Sequence, residues 1–458
     1  MKTIHSLLCS ALAFLLLVGC SESVVLKTRV PARPAGQEDV IELAVAPMDT
    51  VRIGMVGLGM RGNHAVKRLC QIPGAKITAL CDLRESVVVE CQEMMAGFGK
   101  EPAKTYFGSE DSWKALCEQE DIDLVYICTD WLTHTPIALY AMDHGKHVAI
   151  EVPAALDMDQ IWALIDKAEQ KRLHCMMLEN CVYDFFELST LQMAQDGAFG
   201  ELIHAEGAYH HNLDAFWGGY WNNWRLEYNS KFRGDNYPTH GIGPICQALN
   251  IHRGDRMTRL VSMDTKPFNG PKLMEHYSGK PCPEFAQGDE TNTLIQTANG
   301  RTMLIQHDVM TPRPYDRLYQ LVGTEGYAGK YPTKIYCFHE VIEEKVDAAH
   351  IADEKSYTGA ELKAIQEQHR PAILTEELET LAKKVGGHGG MDFIMDYRLV
   401  YCLRNGLPLD MDVYDLAEWC CLAPLSRLSL ENDNRPVEIP DFTRGAWEKA
   451  PAYKHYLK

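Results

Sequence analysis

Short apolar runs alternate with amphipathic stretches from residue 51 to about residue 178. Residues 51–56, 76–81, 124–128, 147–150 and 173–178 are almost continuously apolar, the pattern of strands covered on both faces. Between them, helical spacing of apolar positions predicts helices at about 63–71, 85–95, 136–144 and 159–170. Strands alternating with helices predict a doubly wound parallel sheet. From about residue 180 the alternation stops. A helix over 184–195 and a turn at 197–200 precede strand-like runs at 202–209, 293–298, 302–307 and 318–322. Helical segments near 376–384, 391–404 and 413–428 close the chain. The expected fold class is therefore α/β, with the parallel sheet followed by an α+β domain whose sheet is largely antiparallel.

The longest apolar run lies near the start. Lys2 precedes residues 7–18, too few to span a bilayer, and the run ends in Leu17-Val18-Gly19-Cys20-Ser21. Residues 1–19 are expected to be a signal peptide, and Leu-Val-Gly-Cys resembles a bacterial lipobox. That resemblance implies cleavage before Cys20, acylation of Cys20 with fatty chains such as palmitate, and a membrane lipoprotein facing the periplasm or cell surface. An ordinary cleaved signal peptide is the alternative. Residues 20–50, with Pro31, Pro34 and Gly36, are expected to form a tether.

Composition narrows the remaining possibilities. A chain of 458 residues exceeds the usual single core, so two domains are expected, at 51–179 and 180–458. With 45 Lys+Arg against 63 Asp+Glu the formal charge is −18 and no basic block stands apart, which argues against nucleic acid as a partner. The 15 cysteines form neither a CxxC pair nor a Cys/His set at zinc-finger spacing, so no structural metal is expected.

Directly after the first strand comes Gly57-Leu58-Gly59-Met60-Arg61-Gly62, a GxGxxG sequence. The first glycine permits a tight turn, the second lets backbone approach a pyrophosphate, and the third lets the next helix pack on the strand. The second strand ends in Asp82, 20 residues after Gly62, where a carboxylate bonds an adenosine ribose and repels a 2′-phosphate. This predicts a Rossmann-type domain binding NAD, although the nearby Arg84 could serve a 2′-phosphate. Segments beyond the strand ends, Thr129 to His134 and Glu151-Val152-Pro153, are placed to meet the cofactor.

The second domain holds a polar, aromatic-rich region from Tyr209-His210-His211 through Tyr220-Trp221-Asn222-Asn223-Trp224-Arg225 to Tyr237-Pro238-Thr239-His240. Flat rings and hydrogen-bonding side chains together suit a sugar. The histidines match no HExxH or finger spacing and GxSxG is absent, which argues against a zinc peptidase or a serine hydrolase.

These motifs resemble the superfamily of glucose–fructose oxidoreductase, inositol dehydrogenase and MocA. Four longer segments resemble glycoside hydrolase family 109: Glu151-Val152-Pro153-Ala154-Ala155, residues 176–187, residues 219–226 and Tyr237-Pro238-Thr239-His240-Gly241. Gly387-His388-Gly389-Gly390-Met391-Asp392 extends the likeness toward the C-terminus. The resemblance implies an NAD-dependent α-N-acetylgalactosaminidase. Cofactor contacts would fall on Met60, Arg61, Asp82, Trp131, Leu132, Thr133, His134, Glu151, Val152 and Asn180. Substrate contacts would fall on Tyr209, Arg225, Tyr237, Pro238, Thr239, His240 and Tyr315. Tyr183 and His240 would handle protons, with Tyr237 a further candidate.

The implied reaction is oxidation at C3 of the sugar, loss of the acidified C2 proton, elimination at C1, addition of water and return of the hydride, with no cofactor consumed. Many dehydrogenases of the superfamily carry Glu-Lys-Pro where this chain has Glu151-Val152-Pro153. Val152 cannot move a proton, which disfavours simple alcohol oxidation. An NAD-dependent sugar oxidoreductase and a non-catalytic glycan-binding lipoprotein remain as alternatives, and assembly into a homo-oligomer stays open. Residues 1–20 contain no arginine, so a folded-protein export route for a preloaded cofactor has no signal here.

Overall fold

The computed structural model describes residues 24–337 and 351–458. Cys20 and the expected signal peptide lie outside them. Among the described residues no helix is long and apolar enough to cross a membrane.

The first domain is a parallel sheet of β1 (Val51–Val56), β2 (Ala75–Cys81), β3 (Lys104–Tyr106), β4 (Leu124–Ile127), β5 (His147–Ile150) and β6 (Cys175–Met177). Their order is β3-β2-β1-β4-β5-β6, so the winding reverses between β1 and β4, where such sheets open a ligand crevice. Every residue of β4 and β5 is buried, as the unbroken apolar runs required. Helices α1 (Met60–Leu69), α2 (Glu85–Gly97), α3 (Ser112–Cys117), α4 (Trp131–Asp143) and α5 (Met158–Lys171) connect the strands.

Two helices start earlier than periodicity suggests, and both shifts matter for the site. Helix α1 begins at Met60 directly after the second glycine. Helix α4 begins at Trp131 because Asp130 caps it, accepting from Leu132 N at 2.9 Å, so Trp131 to His134 form its first turn.

In the second domain, α6 (Phe185–Gln195) leads to β7 (Leu202–His210), followed by α7 (Trp224–Lys231), α8 (Thr239–Ala248) and α9 (Gly270–Ser278). Strands β8 (Met257–Asp264), β9 (Thr291–Thr297), β10 (Thr302–Asp308), β11 (Gln320–Gly323), β12 (Tyr327–Lys330), β13 (Thr333–Tyr336) and β14 (Val437–Glu438) complete an eight-stranded sheet. Its order is β13-β12-β11-β7-β10-β9-β8-β14, antiparallel except where β7 meets β10. Helix α8 lies directly on β7: a Cβ on Gly207 would fall 2.2 Å from the Gly241 carbonyl oxygen. That approach carries the Tyr237-to-His240 segment onto Tyr209 of β7. The single helix expected over 413–428 is two, α14 (Val413–Cys420) and α15 (Leu422–Leu430), since Pro424 has no N–H for the Cys420 carbonyl. Helix α15 packs directly on β8, whereas the long helix α13 (Met391–Asn405) packs against α1, β1 and the turn at Asn180–Tyr183, and is preceded in the chain by α10 (Ile351–Glu354), α11 (Gly359–Gln368) and α12 (Glu376–Val385).

The expected tether is corrected over its described part. Leu26 pairs with Val437, Met48 N donates to the Leu403 carbonyl at 3.3 Å, and Val40 and Leu43 are buried. Arg33 reaches both Glu169 of α5, at 3.0 Å, and the Thr443 carbonyl, at 3.0 Å. Proline and glycine made this segment irregular, but its apolar side chains and Arg33 fasten it to both domains. Glu169 is the meeting point, also accepting from Tyr414 at 2.6 Å and Arg444 at 2.8 Å.

Candidate functional site

The glycine turn fits a dinucleotide on steric grounds. Gly57 has φ +86°, and a Cβ there would lie 2.6 Å from the Cys128 carbonyl group; a Cβ on Gly62 would lie 1.9 Å from the Gly57 oxygen. Gly59 differs, with only the Arg84 Nη2 at 3.5 Å from such a Cβ. The open backbone at Gly59 and the unpaired N–H groups opening α1 form a phosphate cradle. Asp82 stands beside it, accepting from Leu58 N at 2.7 Å, Arg84 N at 2.9 Å and Arg84 Nε at 3.2 Å. The charge of Arg84 is thus already tied to Asp82, which favours ribose hydroxyls over a 2′-phosphate.

Other expected cofactor residues divide by role. Arg61 leaves the first turn of α1 to pair with Glu151 at 2.8 Å and Asp392 at 3.3 Å. Asn180 donates to the other oxygen of Asp392, and His388 Nδ1 lies 2.9 Å from the same carboxylate. Burial alone would raise the Asp392 carboxyl, but His388, Arg61 and Arg68 hold it well below the usual carboxylate range. Val152 is buried, with its N–H on Glu151 Oε2 at 3.3 Å. Leu132 is 61% exposed at the crevice edge and Thr133 bonds the Asp130 carbonyl. His134 is buried between the carbonyls of Pro153, at 2.8 Å, and Thr129, at 3.0 Å, so its ring ties two loops together.

Trp131 links this crevice to the second domain. Its ring stacks on Tyr237 at 5.6 Å, and the Arg225 guanidinium lies 5.0 Å from Trp131 and 4.7 Å from Tyr237. Arg225 is buried, donates to Tyr220 at 2.7 Å, and its Nε and Nη2 have no partner among the described residues. A buried guanidinium with two idle donors is costly unless a ligand oxygen meets it.

Beside Arg225 lies a chain of proton-handling groups. His240 Nδ1 bonds Glu179 Oε1 at 2.7 Å and Nε2 lies 3.3 Å from the Tyr237 hydroxyl. Glu179 is fully buried, which by itself raises a carboxyl, yet His240 and the Cys181 N–H keep it below its ordinary value. Burial pushes the Tyr209 and Tyr237 phenols up, so both remain protonated donors. Tyr209 bonds His211 Nδ1 at 2.8 Å, and burial together with Arg225 brings His211 down to about 4, a neutral ring. Tyr315, 42% exposed, packs edge-on to His211 at 5.0 Å and accepts from Arg317 at 3.3 Å. Pro238 and Thr239 form the start of α8 that aims His240 at this cluster.

Tyr183 is not brought to the cluster. Its buried ring runs toward Asp410, which accepts its hydroxyl at 3.0 Å and is also held by Arg398 at 2.7 Å. Its hydroxyl is therefore engaged away from His240 and Tyr237. Glu179, His388 and Asp392 were missed as site residues. A legible signal existed for the last two: Gly387, Gly389 and Gly390 all have positive φ, turning the chain so that a half-exposed His388 stands over Asp392.

Comparison with known proteins gives the family of each domain. Residues 51–179 match the model of the oxidoreductase family with an NAD-binding Rossmann fold, and residues 183–449 match that of the glycosyl hydrolase 109 C-terminal domain. "Glycosyl hydrolase family 109 protein 1" of Phocaeicola vulgatus is 59% identical over 441 residues, covering 95% of this chain and 93% of its own. The protein of the same description from Bacteroides thetaiotaomicron is 56% identical, covering 98% of each chain. Among solved structures, levoglucosan dehydrogenase in complex with NADH superposes with TM-score 0.61 at 16% identity, covering 86% of this chain and 100% of its own. Apo scyllo-inositol dehydrogenase of Lactobacillus casei gives 0.59 at 15% identity, covering 86% and 99%. With NAD as the cofactor of its Rossmann domain, the chain belongs to glycoside hydrolase family 109.

Proposed function

We propose that this enzyme releases terminal α-linked N-acetylgalactosamine from glycans by the redox-neutral route of oxidation, elimination, water addition and reduction. The observation that carries the proposal is the chain Glu179–His240–Tyr237 standing next to a crevice in which position 152 is Val. Bound NAD supplies a hydride acceptor that later returns the hydride. The protein's part is position and proton transfer. Arg225 offers its two idle donors to sugar oxygens, and the Tyr209 and Tyr237 hydroxyls offer more. His240 takes a proton at Nε2, from the sugar or through Tyr237, while Glu179 steadies the charged imidazole from Nδ1. His388, half exposed with Nδ1 held by Asp392, is the acid that gives a proton to the leaving oxygen as the C1–O bond breaks.

Hydrolysis of a chromogenic α-N-acetylgalactosaminide in D₂O tests this. The C2 proton must leave in every turnover, so the released sugar should carry deuterium at C2 while NADH does not accumulate. Sugar without deuterium would overturn the elimination route, and NADH formed in step with product would instead mark a sugar oxidoreductase.

A further inference from the structure

Trp221 lies in a 3-10 turn of the second domain, Trp221–Asn223, and Arg84 follows β2 of the first. Asn222 and Asn223 both hold left-handed backbone, φ 52° and 54°, a conformation that asparagine tolerates better than most residues. The chain therefore doubles back just after Trp221 and leaves its indole 54% exposed, where tryptophan is usually well covered. The Arg84 guanidinium lies 4.8 Å from the indole centroid. From below, Arg84 is fixed by Asp82 at 2.9 and 3.2 Å, and its Nη2 overlies Gly59. One guanidinium thus covers the ribose-binding carboxylate and the open glycine while touching a ring from the opposite domain. All three mark the adenosine end of the dinucleotide groove.

We propose that Trp221 and Arg84 form a clasp across the adenosine end of the groove that slows NAD release. The clasp depends on NAD binding alone and not on which sugar is processed. It suits a cycle whose hydride must come back, because nucleotide lost between the two redox steps would strand an oxidised sugar. The indole face attracts the cation, and the pairing with Asp82 keeps that cation in place.

Nucleotide release is the direct test. Full-chain protein loaded with NADH is mixed rapidly with excess NAD⁺, and the loss of bound-NADH fluorescence is followed for the parent, Trp221→Ala and Trp221→Phe. Trp221→Ala should release NADH about twofold to fivefold faster, the range of an exposed cation–π contact. Trp221→Phe, which keeps a weaker ring, should fall between the two. Because the side chain is more than half exposed, the melting temperature without nucleotide should stay with the parent, so faster release cannot be ascribed to unfolding. Release from Trp221→Ala at the parent rate would overturn the clasp, and so would a Trp221→Phe protein as fast as Trp221→Ala.

Discussion

Replacing Glu179 by Gln keeps the shape of the side chain and removes one charge. The amide can still accept from the Cys181 N–H, at 3.0 Å in the parent, and from His240 Nδ1. What disappears is the attraction between a buried anion and the imidazolium that forms when His240 takes a proton. A hydrogen bond to a charged group contributes about 1.5–3 kcal/mol, against about 1 for a neutral one. An upper bound comes from Coulomb's law, about 4 kcal/mol for unit charges about 4 Å apart at an effective dielectric constant of about 20. At about 1.4 kcal/mol per factor of ten, the gap of about 0.5–2 kcal/mol between charged and neutral bonds and the Coulomb bound put the fall in kcat/KM between about 2-fold and 10³-fold. The assay is hydrolysis of a chromogenic N-acetylgalactosaminide across pH, beside thermal unfolding of the same protein. Glu179 is held below its ordinary 4.5, so its ionised form stabilises the fold above that value and the benefit is lost as pH falls through the folded pKa. The melting-temperature deficit of Glu179→Gln should therefore shrink on acidification. A folded variant whose kcat/KM stays within about twofold of the parent would refute the relay, since general acid–base steps contribute about 10²-fold or more.

Two further outcomes follow from named carboxylates. Asp82→Ala should weaken NAD far more than NADP in direct titration, because the carboxylate that bonds ribose hydroxyls also repels a 2′-phosphate; equal weakening of both would contradict its role. Burial, with Glu290 adding repulsion, pushes Asp235 from 3.8 up to about 8, so between those values the folded state holds a proton that the unfolded chain has lost and stability falls as pH rises. Asp235→Asn removes that dependence, and its advantage over the parent in urea unfolding should grow by about 3 kcal/mol from pH 5 to pH 7.5; an unchanging difference would show that the carboxyl ionises freely.

The phosphate cradle was legible in the sequence because its causes are local. Each glycine is demanded by atoms a few bonds away or by the adjacent strand, so Gly57, Gly59 and Gly62 announce the turn by themselves. Strand β12, Tyr-Ala-Gly-Lys, announces nothing. It is a strand because β11 and β13 flank it, and pairing of that kind leaves little trace in four residues. Glu179 was passed over for a similar reason: its meaning depends on His240, 61 positions away. Asp392 depends on Arg61, 331 positions away, and periodicity cannot reach across such distances. For Tyr183 the motif gave a chemically suitable hydroxyl, but only the position of Asp410 reveals which way the ring turns.

The junction at Glu169 bears on how the molecule comes apart. Its buried carboxylate belongs to a helix of the first domain, while Tyr414 and Arg444 belong to the second and Arg33 to the leading segment. If the second domain opened alone, the Glu169 carboxylate would lose Arg444 and the Tyr414 hydroxyl, and breaking a buried ion pair costs about 3–5 kcal/mol. Separate opening of the two domains therefore carries an added penalty despite the boundary between them. A dinucleotide held by the first sheet then stabilises the second as well, because unfolding of either releases it.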